Sequence, residues 1–154
     1  MDNTPTGREK ERAKILAEEL KILQGVINRM AQNSLECKKW TLALAVGVLS
    51  LKIEAISHLY RLCVLGVLLA CFYLLDAYYL MLERLFREQY QWLIKNRLKT
   101  DERLFEVFPA HKTCRFALYL CAMLSFSLFP YWALGLCLVI YGFVSNSVSM
   151  ECWL

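Results

Sequence analysis

Residues 116–149, FALYLCAMLSFSLFPYWALGLCLVIYGFVSNSVS, contain no charged side chain. A soluble helix alternates apolar and charged faces, and a run this long exceeds an ordinary buried core helix. The stretch therefore reads as membrane-embedded. The rest of the 154-residue chain agrees, because 58% of it is hydrophobic and 21% charged, with the apolar residues gathered in two blocks. Helices satisfy their own backbone groups in hydrocarbon, so the expected class is all-α and integral to a membrane.

Pro130 divides the quoted run into residues 116–129 and 131–144. Either Pro130 sits in a tight turn between two short helices, or one long kinked helix crosses once. A single crossing needs about 20 helical residues, and residues 116–150 far exceed that, which favours the hairpin. Further upstream, residues 62–82 form a second apolar run long enough to cross. Residues 40–51 form a shorter run that begins at the interfacial set Lys38, Lys39 and Trp40 and is lengthened at either end or by snorkelling of Lys52. Residues 52–61 supply the turn between them. The expected fold is thus two membrane hairpins, four membrane helices in all.

The flanks are polar. Residues 1–7 read as a leader, after which Leu16, Leu20, Leu23, Ile27, Met30 and Ser34 recur at helical spacing as an amphipathic stripe. Residues 83–95 continue the second membrane helix beyond the bilayer, since no Gly or Pro stops it. Residues 96–115 form a connector that carries Pro109. The organisation is therefore a leader and amphipathic helix over 1–39, a hairpin over 40–82, a helical extension and connector over 83–115, and an apolar hairpin over 116–154. Eight of the 18 Lys and Arg residues fall in 1–39 and eight in 83–115, which puts both segments in the cytoplasm. The first 39 residues lack the apolar run of a secretory signal. The net charge of +4 is explained by topology and anionic lipid, so no nucleic-acid partner is expected.

Asp76 is the least expected residue, a carboxylate inside residues 62–82 with Tyr73 and Tyr79 on the same helical face. It needs a partner: it is either a functional site or an anchor that pairs with a Lys, an Arg or a Tyr hydroxyl to fix helix packing. Asp76, Glu83 and Arg87 share a face, with Arg84 beside it. That stripe lines a polar path in an oligomer or is a solvated helix face. Asn28, Arg29 and Asn33 interrupt the amphipathic stripe and either reach a carboxylate or ligand, coupling the first helix to the second, or bend the helix. Seven cysteines contain no Cys-x-x-Cys pair, and Cys63, Cys71, Cys121 and Cys137 lie in apolar stretches as small hydrophobes. With only His58 and His111, and no metalloprotease, phosphate-loop or nucleophile-elbow motif, neither an enzyme nor a metal or cofactor site is expected.

The segment from Leu23 to Ser34, the pair Lys39 and Trp40, the run from Leu75 to Leu80, and Glu83-Arg84 with Phe86-Arg87 together resemble small multi-helix bacterial membrane proteins. The similarity extends over residues 20–90. It implies an antiphage-defence effector that impairs the inner membrane. On that reading the chain is a multi-pass inner-membrane protein, N-terminus in the cytoplasm. It forms a homo-oligomer and is triggered by a cytoplasmic protein or a small ligand. Asp76, Glu83, Arg84 and Arg87 would then form the path or gate. The alternative is a non-conducting anchor or scaffold that recruits a cytoplasmic partner.

Overall fold

The computed structural model describes residues 7–50, 57–100 and 115–151. Residues 52–56 of the expected turn at 52–61 lie outside the described residues, and its later part, from His58, is already the start of α2; most of the connector with Pro109 also lies outside them. The described residues are helical: α1 (Gly7–Ser50), α2 (His58–Asn96), α3 (Arg115–Met123), a single 3-10 turn (Phe126–Leu128) and α4 (Phe129–Glu151).

The amphipathic helix and the first membrane segment are one continuous helix of 44 residues, about 66 Å long at 1.5 Å per residue. No proline lies within it, and its polar residues bond along the helix rather than against it. Gln24 donates its amide to Asn28 Oδ1 at 3.1 Å, and Lys38 donates to Ser34 Oγ at 2.8 Å. The Thr41 hydroxyl donates back to the Cys37 carbonyl at 2.7 Å. The helix runs unbroken through Asn28. α2 likewise runs unbroken from the apolar stretch into the charged extension, and Ser57 caps its start by accepting the Tyr60 N–H at 3.3 Å.

α1 and α2 pack antiparallel along one seam. On α1 the buried residues are Glu19, Leu23, Ile27, Ser34, Cys37, Thr41 and Ala45, always a multiple of helical three- and four-residue steps apart. Leu23 and Ile27 meet Phe86 and Leu93, with Tyr90 and Trp92 packed around them. Each such side chain contributes roughly 1.5–3 kcal/mol relative to exposure. At the far end of this hairpin the Arg97 guanidinium grips Glu19 with two hydrogen bonds, Nε to Oε2 at 2.5 Å and Nη2 to Oε1 at 2.8 Å. Both side chains are buried, at 1% and 5% exposure.

The C-terminal block does not form two equal halves around Pro130. The chain breaks at Leu124 and Ser125, where Ser125 adopts an extended backbone, and Pro130 becomes the second residue of α4. A proline there loses no helical hydrogen bond, because the N–H groups of a first turn have no partner within the helix. α3 has nine residues, about 13 Å, and is too short to cross roughly 30 Å of hydrocarbon. Tyr131 of α4 lies against Tyr73 of α2, Gly135 lies against Leu69 and Gly142 against Leu62, so α4 runs antiparallel to α2.

Two helical stretches are long and apolar enough to cross a membrane, Leu59–Asn96 and Phe126–Val144, and only 17% and 11% of their most apolar windows are buried. Trp40, Val46, Val67, Trp132, Leu136 and Phe143 all face outward with more than half their surface open. Monomeric proteins in water rarely expose large apolar side chains so extensively.

The Glu19–Arg97 pair sets a first test. Glu19→Leu leaves Arg97 buried without its partner and is expected to cost about 3–5 kcal/mol, whereas Glu19→Leu with Arg97→Leu recovers most of it. Urea unfolding of the purified protein, followed by helical circular dichroism, measures both.

Candidate functional site

The polar residues of the apolar half converge where α1, α2 and α4 meet. Asp76 is fully buried, and its Oδ2 lies 2.6 Å from Lys38 Nζ across the α1–α2 seam. The helical steps Ser34, Lys38 and Thr41 on α1 present a hydroxyl, an ammonium and a second hydroxyl to this junction, with Cys37 beside them. From α4, Tyr131 is 4% exposed, and its hydroxyl faces both Asp76 and Thr41. Asp76 Oδ1 and Tyr131 Oη have no hydrogen-bond partner among the described residues.

The surroundings fix Asp76 by packing. Ala77, Leu128 and Tyr131 form a small core lined by Leu69, Phe72, Tyr73, Tyr119 and Met123. Tyr73 donates to the Met123 carbonyl at 2.8 Å, and Tyr119 donates to the Leu74 carbonyl at 3.0 Å, tying α3 to α2. Tyr73 also meets Tyr131 and Trp132 edge to face, with centroids 5.8 Å and 6.0 Å away. Burial, reinforced by the Asp76 carboxylate, pushes the Cys37 thiol up, while Lys38 pulls it the other way.

Other residues singled out in the sequence lie elsewhere. Glu83 and Arg87 pair with each other at 2.7 Å on the helix surface, with the Arg87 side chain 60% exposed. Arg84 reaches away to donate to Ser125 Oγ at 2.7 Å, which fastens the α3–α4 turn to α2. Asn28 and Arg29 point outward, and Asn33 is half-buried. None of these converges with Asp76 in the described contacts. Tyr79 is half-buried beside Tyr78, its ring 6.1 Å away.

Sequence reasoning found Asp76 but not its partner, because Lys38 looked like an interfacial anchor beside Lys39 and Trp40. Nor did it find Tyr131. A usable signal existed: Ser34, Lys38 and Thr41 follow one another at four- and three-residue steps and continue the apolar stripe of α1.

Chemically, the cluster holds one fixed anion, one fixed cation and hydroxyls that both give and take hydrogen bonds. It can carry a proton or hold a water molecule. Among the described residues no three His, Cys, Asp or Glu side chains converge as metal ligands. Comparison with known proteins finds no matching family model, no matching curated protein and no matching solved structure.

Two outcomes are expected. Lys38→Met strands the Asp76 carboxylate and should destabilise the protein by about 3–5 kcal/mol, while Lys38→Met with Asp76→Leu should restore it; thermal unfolding in detergent reads both. Because the Cys37 thiol is pushed up, less of it is thiolate at a given pH. Maleimide labelling of Cys37 in the folded protein should therefore set in at higher pH than after denaturation, as followed by mass spectrometry.

Proposed function

We propose that this chain is a multi-pass protein of the bacterial inner membrane that acts as a channel-like effector, perturbing the membrane when triggered, in the manner its resemblance to antiphage-defence effectors implies. The observation that carries this reading is the buried Lys38–Asp76 pair between helices whose outer surface is apolar. Apolar residues of similar volume would hold the same helices together at least as well, and ionisable groups at such a position commonly mark an ion or proton pathway.

In this reading α1 accompanies α2 through the bilayer, α2 returns, and α4 crosses once more. That gives three crossings, with the short α3 packed at the cytoplasmic side. The α1–α2 hairpin beyond Lys38 and Asp76 stands in the cytoplasm, consistent with the Lys and Arg residues concentrated there. The N-terminus and the end of α4 then face opposite compartments. The polar element is Asp76 with Lys38; Glu83, Arg84 and Arg87 shape its cytoplasmic margin. Copies of the chain assemble through the apolar outer faces. A cytoplasmic protein or small ligand that engages the hairpin supplies the trigger.

The anchor or scaffold reading is favoured by a different observation. The hairpin is long, held by its own core and by Glu19–Arg97, and carries exposed Ile22, Ile94 and Leu98, a suitable surface for recruiting a partner.

Membrane potential separates the two. On induction in cells carrying a potential-sensitive dye, the wild type is expected to depolarise the membrane, and Asp76→Asn at matched membrane level at least about tenfold less. Depolarisation by neither protein favours the scaffold. Topology is read separately: alkaline phosphatase fused after Glu151 should be active, and fused before Gly7 inactive.

A further inference from the structure

Thr41 of α1 faces the Tyr131 hydroxyl of α4, and the chain neighbours of these two residues, Trp40 and Trp132, are 60% and 61% exposed. Two indoles on different helices therefore stand open at one level, that of Asp76. Exposed tryptophans gather where hydrocarbon meets headgroups, so on the membrane reading this level is the boundary of the cytoplasmic leaflet.

The turn that joins α3 to α4 rises outward from that boundary. Leu128 packs with Ala77 and Tyr131, whereas Ser125 Oγ accepts from Arg84 at 2.7 Å. Arg84 lies eight residues beyond Asp76, about 12 Å further along α2 at 1.5 Å per residue. A spanning helix needs no open apolar side chains past its boundary, yet the turn carries the two most exposed large ones among the described residues, Phe126 at 87% and Leu124 at 82%. Phe126 stacks on the 57% exposed Phe129, with ring centroids 5.7 Å apart. Apolar surface thus continues from Leu136 and Trp132 of α4 up into the turn. Beside it, Arg84 makes no ion pair among the described residues, and its neighbour Glu83 is taken up by Arg87. A guanidinium that gives one N–H to a neutral hydroxyl keeps its charge and its other donors for an anion.

We infer that the α3–α4 turn docks on the cytoplasmic leaflet and holds an acidic phospholipid there. Leu124, Phe126 and Phe129 pack against acyl chains close to the glycerol, and Arg84, steadied by Ser125, binds the phosphate. This rests on the membrane reading. A lipid is the occupant because the apolar surface is continuous with that of α4 and the lone cation stands just outside the indoles, where phosphates lie. An acidic headgroup is preferred because a zwitterionic one carries its own cation to neutralise the phosphate, whereas phosphatidylglycerol leaves a net negative charge for Arg84. The bound lipid braces the segment that brings Leu128 to Ala77 and Tyr131 to Asp76.

The test uses the full-length protein with the photo-crosslinker benzoylphenylalanine in place of Phe126, reconstituted into vesicles of equal parts phosphatidylcholine and phosphatidylglycerol. Flotation of the vesicles reports insertion, and mass spectrometry after irradiation reports what residue 126 touches. Adducts to phosphatidylglycerol are expected to exceed those to phosphatidylcholine about fivefold, and Arg84→Gln, which can still bond Ser125, should bring the ratio close to one. Arg84→Lys keeps the charge and should keep the preference, which separates headgroup recognition from damage to the turn. Equal adducts to both lipids with Arg84 intact overturn the acidic-lipid site. Protein that floats but gives no lipid adduct, or adducts only to another protein chain, overturns the lipid docking and leaves the membrane reading standing. Protein that does not float overturns both.

Discussion

The structure depends on one constraint: α1 and α2 must meet in a single antiparallel register. An apolar seam alone permits a slip of one heptad at modest cost, since one leucine fills another's place. Charges do not permit it. Glu19 on α1 faces Arg97 on α2, and Lys38 on α1 faces Asp76 on α2, so the two pairs have opposite polarity along the hairpin. Any slip strands four charges at once, three of them buried and Lys38 partly so. The register in turn decides which α1 side chains reach the α4 interface, and so it places Thr41 and Ala45 where Tyr131 and Leu138 arrive.

The two pairs do different work. Glu19–Arg97 is bidentate and planar, the geometry in which a guanidinium satisfies a carboxylate fully. It closes the open end of the hairpin. Lys38 is a point charge that touches only one oxygen of Asp76 and shares its remaining donors with Ser34. The second carboxylate oxygen is left facing Tyr131. The first pair therefore ties the open end of the hairpin, and the second ties its apolar half beside Tyr131.

Much of the architecture was legible in the sequence, and the exceptions have physical causes. Helical class, the apolar stretches and the need of Asp76 for a partner follow from hydropathy and from the rarity of a carboxylate in such a run. Periodicity placed Asp76, Glu83 and Arg87 on one face, but burial is set by neighbours. α3 and α4 cover that face at Asp76 and end near the Arg84–Ser125 contact, so Arg87 stands in the open. Pro130 marked the right neighbourhood and the wrong residue, since a proline is as compatible with a helix's first turn as with a bend. Asn28 to Ser34 looked like an interruption because polar side chains compete for backbone groups, yet here Asn28 accepts from Gln24 and Ser34 from Lys38, each one turn away along the helix. Long-range partners such as Arg97 for Glu19 carry no local signature at all.

The Lys38–Asp76 pairing also constrains how the chain can be made. Presented singly to a translocation machine, α1 and α2 would each bring an uncompensated charge toward lipid, whereas as a closed hairpin they present a neutral pair. On the membrane reading, α1 commits most readily once residue 76 has emerged from the ribosome, and α4, whose residues 129–150 carry no charge, can follow by itself. On that reading the order of synthesis, and not only the folded state, depends on the ion pair.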